Sequence, residues 1–169
     1  MTKVFSRIGV RTTTKLGRAR VARSADIPYL SGVAIRGDER SHEWAQDRFS
    51  RFIRKKDREL FVFGLRTPVA YLGILKSEAE DANVQRILGK KVDNLAHLSW
   101  VAVDPKYRKL GIARKIIAEA VNWAKEQGRE GIWLDTSSMR AFWEKIGFVS
   151  VTREVIHGKE RDLMLLEFK

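Results

Sequence analysis

Apolar residues recur along this chain with two periods, and the points where the period changes predict its elements. Spacings of three and four place side chains on one helix face, and they recur in four stretches. The first predicted helix follows an N-cap at Ser24 or Asp26, and the second and third cover residues 41–56 and 112–127. The fourth runs from an N-cap at Ser137 or Ser138 to Gly147. Serine and aspartate favour cap positions because their side-chain oxygen accepts a backbone N–H.

Runs rich in β-branched and aromatic residues predict the strands. They cover a short strand after Arg18, one hairpin of 59–65 and 69–75, then 94–103 and 131–135, and a second hairpin of 149–156 and 161–168. Residues 76–93 are polar, and Val84, Ile87 and Leu88 indicate one or two helical turns, so we expect an insertion loop there. The order β-α-α-β-β-β-α-β-α-β-β predicts an α/β (α+β) fold, in which a mixed sheet has helices on both faces.

Composition narrows the class of protein. The chain has 169 residues, is 44% hydrophobic and 32% charged, and has three prolines, as expected for one ordinary globular domain. It has no cysteine, which excludes disulfides, thiolate metal sites and a cysteine nucleophile, and its three histidines lack metal-ligand spacing, so we expect no metal. No apolar run approaches the roughly 20 residues that span a bilayer, and no signal sequence is recognised, so we expect a cytoplasmic protein without a membrane partner.

The formal net charge of +12 is unevenly placed. Residues 1–20 carry six basic side chains and no acidic one, and we expect 1–17 to form a basic N-terminal arm. Arg48, Arg51 and Lys55 fall on one face of the helix predicted at 41–56. Such charge favours nucleic acid or another acidic partner, or it serves general solubility, and a row of charges is equally consistent with a solvated helix face.

The most informative chemistry lies between the strand that ends at Val103 and the helix that begins at Ile112. An anion at this junction would meet unpaired backbone N–H groups at the positive end of the helix dipole. The side chains of Arg108, Lys109 and Arg114 add positive charge, and Gly111 leaves room for close approach. The spacing is neither the dinucleotide fingerprint nor the P-loop, so the junction predicts phosphate binding of another kind or simply a well-capped α/β turn.

This spacing resembles the acyl-CoA loop of the Gcn5-related N-acetyltransferase (GNAT) superfamily: Arg or Gln, two residues, Gly, one residue, Gly or Ala. Arg108, Gly111 and Ala113 fit that pattern. About 30 residues later, Ala141 to Phe148 (AFWEKIGF) is similar to the family's Phe-Tyr-Glu-Lys-x-Gly-Phe. The resemblance covers residues 18–169, which we expect to be a single N-acetyltransferase domain, and leaves the basic arm outside it.

The resemblance implies a mostly antiparallel sheet of six to seven strands and acetyl-CoA as cosubstrate. It implies that backbone groups of Val101 and Val103 line the pantetheine arm. The implied pyrophosphate contacts are Arg108, Lys109, Leu110, Gly111, Ile112, Ala113 and Arg114, with Lys145 of the second motif as a further coenzyme contact. It also implies an amine-bearing acceptor and is compatible with a homodimer.

Two positions depart from the family's usual catalytic residues. The general base, usually a glutamate, falls at His97, whose ordinary pKa of about 6.5 suits the role, although His97 is equally explained as a hydrogen-bonded strand residue. The tyrosine that usually protonates the leaving thiolate falls at Trp143, which has no hydroxyl and fits an apolar helix face. The proton would then come from Tyr107, Ser137, Ser138 or water, or no acid is needed.

Three functions remain at this point. The leading one is transfer of an acetyl group from acetyl-CoA to a primary amine of a small molecule or a protein. A second is transfer to an acceptor associated with nucleic acid, such as an aminoacyl-tRNA or a ribosomal protein, which the basic arm and the face of Arg48, Arg51 and Lys55 favour. The third is a non-catalytic module that binds acyl-CoA or nucleic acid, which only Trp143 favours.

Overall fold

The computed structural model describes residues 17–77 and 81–169, and the basic arm expected at 1–17 therefore lies, except for Gly17, outside the described residues. Five α-helices and seven strands form in these ranges. In chain order they are β1 (Ala19–Val21), α1 (Ile27–Asp38), α2 (His42–Phe52), β2 (Arg58–Phe63), β3 (Ala70–Lys76), α3 (Ala82–Leu88), β4 (Leu95–Val103), α4 (Ile112–Glu126), β5 (Gly131–Thr136), α5 (Arg140–Ile146), β6 (Val149–Ile156) and β7 (Lys159–Glu167).

The strands form one seven-stranded sheet in the order β1-β2-β3-β4-β5-β7-β6. β4 and β5 run parallel, whereas β1 with β2, β5 with β7, and β6 with β7 pair antiparallel. A mixed, mostly antiparallel sheet with helices confirms the predicted fold class.

One element is added to the predicted order. Residues 82–88, expected within an insertion loop, form α3 because two local conditions are met there. The Asp81 carboxylate accepts the backbone N–H groups of Asn83 and Val84, at 2.9 and 3.4 Å, which caps the helix. Val84 and Leu88, one turn apart, are buried in an apolar cluster with Leu95. The insertion-loop prediction is therefore wrong for residues 82–88, whereas the one or two helical turns that Val84, Ile87 and Leu88 indicated are confirmed.

The helix caps agree with the sequence at one of three positions. Ser41 accepts the N–H of Trp44 at 3.1 Å, as expected for the cap of α2. Asp26 does not cap α1 with its side chain, because its carboxylate binds the guanidinium of Arg20 through two 2.8 Å hydrogen bonds. At α5 the N-cap residue is Met139 rather than either predicted serine, and no side chain of the described residues caps the helix; the N–H of Met139 itself donates to Oγ1 of Thr136 at 3.1 Å.

Packing divides the chain into two compact units. The first unit holds the described chain up to Gly73 together with Trp100–Ala120, and the second holds Ile74–Ser99 and Val121–Lys169. That residues 18–169 form one domain stays a prediction. In the first unit, Phe52 and Phe49 of α2 pack against Trp100 of β4 with ring centroids 4.5 and 6.2 Å apart. In the second unit, residues of α3, β4, β5, β6 and β7 form an apolar cluster.

Candidate functional site

The predicted anion-binding junction is a strand, a turn and a helix in the first unit. Where β4 ends, the N–H of Asp104 donates to the carbonyl of Val69 at 2.8 Å. The Asp104 carboxylate accepts the N–H of Lys106 at 3.1 Å, which starts a 3₁₀ turn over Pro105–Tyr107. Residues 108–111 then lead into α4, whose side chains Ile112, Ile116, Ile117 and Ala120 are buried and hold the helix in place.

The backbone of this junction adopts unusual torsions. Lys109 and Gly111 have φ of 63° and 76°, in the left-handed region. The N–H of Lys115 donates to the carbonyl of Gly111 at 3.3 Å, so the backbone N–H groups of residues 112–114 precede the first helical hydrogen bond and lack a helical acceptor. A Cβ placed on Gly111 would meet no atom within 4 Å. Free donors therefore border open space, as an anion site requires.

Arg108 is used differently from the expectation. Its Nε donates to the carbonyl of Val103 at 3.2 Å and its guanidinium also donates to the carbonyl of Gly37 at 3.0 Å. These bonds tie the junction to the end of β4 and to α1. A Cβ placed on Gly37 would lie 3.1 Å from the Val103 carbonyl, so α1 approaches the strand closely there. Part of the guanidinium is thus committed to the backbone.

The other predicted coenzyme contacts of this unit lie along the same segment. Val101 and Val103 of β4 are half-buried, and so are Leu110 and Ala113, whereas Ile112 is fully buried. Lys109 and Arg114 are exposed on either side of Gly111. The structure thus brings Val101, Val103 and residues 108–114 into one unit.

Sequence reasoning missed an ion pair at the base of the junction. Asp104 is buried, and one of its oxygens accepts Nε and a terminal nitrogen of Arg36 at 2.8 and 2.6 Å. Burial alone would raise the pKa of the Asp104 carboxyl, but the hydrogen bonds from Arg36 and Lys106 lower it. No sequence signal indicates this pair, because its members are 68 residues apart.

His97, the predicted base, lies in the second unit. Its ring stacks on Trp133 of β5 at a centroid distance of 3.8 Å and an angle of 6°, and Nδ1 lies 3.4 Å from Oγ of Ser99. Burial, with a further contribution from the charge of His157, lowers the pKa of His97 to about 3. The residue as a whole keeps some exposed surface, but the stacked indole shields its ring. A ring with this pKa is neutral and weakly basic at neutral pH.

The second motif forms α5, also in the second unit. Trp143 is buried between Phe142 and Phe148, with ring centroids 5.1 and 5.3 Å away, which confirms its expected core role. Lys145 is exposed in the last turn of the helix, and its contact with coenzyme stays a prediction. Among the expected proton donors, Tyr107 is half-buried, whereas Ser137 and Ser138 are exposed.

The basic face predicted on α2 is shorter than expected, because Arg48 and Arg51 are exposed on the helix but Lys55 lies beyond its end. The helix ends at Phe52, since Ile53 is extended and Arg54 has a φ of 61°. Lys55 therefore does not continue the helix face that carries Arg48. Arg51 forms an ion pair with Asp47 at 3.0 Å, one turn away.

Comparison with known proteins identifies the family. Residues 26–148 match the family model described as the acetyltransferase (GNAT) family. The chain belongs to this family. The resemblance carried by Arg108, Gly111 and Ala113 is thereby confirmed, and the chain is an acetyltransferase by membership. No curated protein sequence matches it.

Solved structures agree with the family. The ribosomal-protein-S18-alanine N-acetyltransferase of Escherichia coli is 18% identical, with 88% of this chain and 92% of that chain covered at a TM-score of 0.67. The PaiA N-acetyltransferase of Thermoplasma acidophilum, solved with coenzyme A, is 16% identical, with 89% and 98% covered and a TM-score of 0.66. A Bacillus anthracis protein assigned as a streptothricin acetyltransferase, solved with acetyl coenzyme A, is 26% identical, with 72% and 68% covered and a TM-score of 0.57.

Two further features of residues 17–77 and 81–169 bear on cofactors and membranes. None of the helices formed there is long and apolar enough to cross a bilayer. Within the same ranges, no three His, Cys, Asp or Glu side chains are grouped so that they could hold a metal ion.

Proposed function

We propose that this acetyltransferase transfers the acetyl group of acetyl-CoA to a primary amine of a small molecule or a protein. The observation that carries the proposal is the junction before α4 in a chain of the GNAT family: free helix N–H groups, a left-handed Gly111 and open space beside it. Phosphate oxygens are the groups that such a helix terminus binds best.

The residues of the first unit fit the coenzyme in chemistry as well as in position. Backbone N–H groups of residues 112–114 would hold pyrophosphate oxygens, and Lys109 and Arg114 would neutralise their charge. Arg108 would contribute its remaining donors while its other bonds keep the junction in shape. Backbone groups of Val101 and Val103 would fix the pantetheine arm, and Lys145 of the second unit would add a coenzyme contact.

Acetyl-CoA, when bound, supplies a thioester whose carbonyl carbon a neutral amine can attack. Transfer then requires that the amine give up a proton and that the released sulfur take one up. We retain His97 as the proposed base from its position in the motif, although its lowered pKa makes ordered water a serious competitor for that role. The sulfur would take its proton from water or from a hydroxyl of Ser137, Ser138 or Tyr107, unless the thiolate leaves without an acid.

A second candidate acceptor is an amine associated with nucleic acid, such as an aminoacyl-tRNA or a ribosomal protein. The observation that favours it is the net charge of +12. The similarity to an enzyme that acetylates ribosomal protein S18 is consistent with it. For location and assembly, the cysteine-free sequence is compatible with the cytoplasm, and a homodimer is the proposed assembly, which sedimentation velocity would test.

The deciding experiment incubates the protein with acetyl-CoA and one amine at a time: small amines, peptides with a free α-amino group or lysine, and an aminoacyl-tRNA. Free thiol is followed over time, and the acetylated acceptor is identified by mass spectrometry. Acceptor-dependent thiol release supports the enzyme. Tight acetyl-CoA binding with no transfer to any amine would instead identify a non-catalytic binding module.

A further inference from the structure

The first unit contains a cavity of about 580 Å³ that the proposed coenzyme contacts do not line. Its wall is made by Arg36 of α1, by residues 65–69 between β2 and β3, and by Asp104, Lys106 and Tyr107 after β4. This volume is within the range of sites that hold small ligands. It is also far larger than a single bound ion requires.

The lining of the cavity is positively charged. Three of its side chains are cations, Arg36, Arg66 and Lys106, and Asp104 is its single acid, so the lining carries two excess positive charges. Arg66 and Lys106 are both exposed, and Arg36 keeps 51% of its side chain accessible. All three cations are therefore accessible to an anionic ligand that enters the cavity.

A buried carboxylate fixes two parts of this wall. Asp104, only 3% exposed, holds Arg36 through one oxygen and the backbone of Lys106 through the other. Because Nε and one terminal nitrogen of Arg36 bind the same oxygen, the plane of the guanidinium is set before any ligand arrives. A preorganised arginine loses less entropy on binding an anion than a freely rotating one.

The rest of the wall suits an organic body rather than a bare ion. Leu65 is 64% exposed and supplies the accessible apolar surface of the lining, whereas Pro68 and Val69 are buried behind it. Tyr107, which is half-buried, adds a ring and a hydroxyl to the lining. A ligand with one charged end and an apolar or ring-shaped body would use both kinds of surface.

We propose that this cavity binds a phosphate monoester. Such a group carries about −1.5 to −2 charges at pH 7, which balances the two excess positive charges of the lining. A phosphodiester or a carboxylate carries only one. The monoester has two possible sources, a phosphorylated acceptor or the 3′-phosphate of the coenzyme, and both present the same chemistry to Arg66 and Lys106.

The test measures binding directly and so does not depend on acetyl transfer. Phenyl phosphate and dimethyl phosphate are titrated into the full chain, with chemical shifts or heat as the readout. We expect phenyl phosphate to bind at least roughly tenfold more tightly than dimethyl phosphate at pH 7.5, and its binding to weaken at pH 5 because the dianion takes up a proton near pH 6 and becomes a monoanion. Dimethyl phosphate, which does not titrate in this range, reports any change in the protein itself.

The variant is the double replacement Arg66→Ala with Lys106→Ala, which we expect to weaken phenyl phosphate binding roughly tenfold or more. Arg36 is left in place because its removal would leave the buried Asp104 unpaired and destabilise the unit. Arg18→Ala with Lys56→Ala is the matched control, since both side chains are exposed and neither lines the cavity. Equal binding of the two phosphates, or full binding by the double variant, would overturn the proposal.

Comparing acetyl-CoA with acetyl-dephospho-CoA then identifies the source. If the protein binds acetyl-CoA more tightly than acetyl-dephospho-CoA, and the double variant does not, the cavity is assigned to the 3′-phosphate of the coenzyme. Equal affinities for the two coenzymes, with phenyl phosphate still bound in their presence, would assign it to a phosphorylated acceptor. Both results support a monoester site, and both remain informative if no acceptor amine is found.

Discussion

At the scale of single residues, Gly111 has to meet two requirements at once. Its φ of 76° lies where a side chain costs about 1 kcal/mol or more, whatever surrounds it. The space that a Cβ would enter is open, so no neighbouring protein atom excludes a side chain at this position. A substitution at Gly111 is therefore expected to lower stability and ligand binding for separate reasons. A bulky residue such as valine would change both strongly, and the two effects could not be told apart.

Gly111→Ala is expected to raise the Kd for acetyl-CoA roughly tenfold or more while lowering stability by about 1 kcal/mol. Gly128→Ala is the matched control. Gly128 has a φ of 68°, also borders open space and follows the other end of α4. The Gly128→Ala variant should lose a similar amount of stability and keep the parent's affinity for acetyl-CoA. Calorimetric titration and thermal melts measure both effects, and equal Kd values in the two variants would remove the junction as the pyrophosphate site.

His97 allows a second prediction at this scale. An unfolded histidine binds a proton near pH 6.5, but burial keeps His97 neutral in the folded state down to about pH 3. The unfolded state therefore binds more protons between these values, and stability must fall as the pH falls from about 6.5 towards 3. His97→Gln should reduce the loss of stability between pH 7 and pH 5, and His42→Gln, at an exposed residue, is the control.

The same variant tests the proposed base. If His97 accepts the amine proton in spite of its environment, His97→Gln should lower the rate of transfer roughly 10²- to 10⁴-fold. With a pKa near 3, we expect no inflection between pH 6 and 8 that His97 alone explains. A profile of unchanged shape and rate in the variant would move the role to ordered water.

At the scale of elements, local patterns predicted what local forces determine. The strand ending at Val103, the turn and the helix from Ile112 follow from periodicity, a proline and a glycine. Val84, Ile87 and Leu88 indicated helical turns but not a separate helix in the predicted order, because only two of the seven residues of α3 are buried and its stability comes from packing in the second unit's apolar cluster. The Arg36–Asp104 pair and the bond from Arg108 to the carbonyl of Gly37 join segments about 70 residues apart, and spacing carries no signal of such contacts.

The bonds of Arg108 predict a difference between two arginines of the junction. Lysine keeps the positive charge but cannot reach two carbonyls with one planar fork. Arg108→Lys should therefore loosen the link to Val103 and Gly37 and raise the Kd for acetyl-CoA about fivefold, the equivalent of one hydrogen bond of about 1 kcal/mol. Arg114→Lys, an exposed position in the first turn of α4, should change the Kd little. Identical titrations for the two variants would contradict the link.

At the scale of the whole molecule, the positive charge is concentrated rather than spread. From residue 17 onward, the first unit carries 17 Lys and Arg against nine Asp and Glu, whereas the second unit carries 12 of each. Residues 1–16 add four basic side chains and no acidic one. General solubility does not require such a division, but attraction of an anionic ligand to the first unit does benefit from it.

This distribution leads to a prediction about the acceptor. An aminoacyl-tRNA and the methyl ester of the same amino acid present the same amine, but only the first adds phosphates. If the acceptor is nucleic-acid-borne, the KM for the tRNA should be far lower at low salt, and its advantage should fall with a log–log slope of about −0.7 to −0.9 per phosphate contacted. Removing residues 1–16 should make that slope shallower by the contribution of up to four phosphate contacts, one for each basic side chain removed. Steady-state rates at several salt concentrations measure both slopes. Similar KM values for the two acceptors at every salt concentration would exclude the nucleic-acid-borne acceptor, and the charge of the first unit would then serve the coenzyme and the phosphate monoester alone.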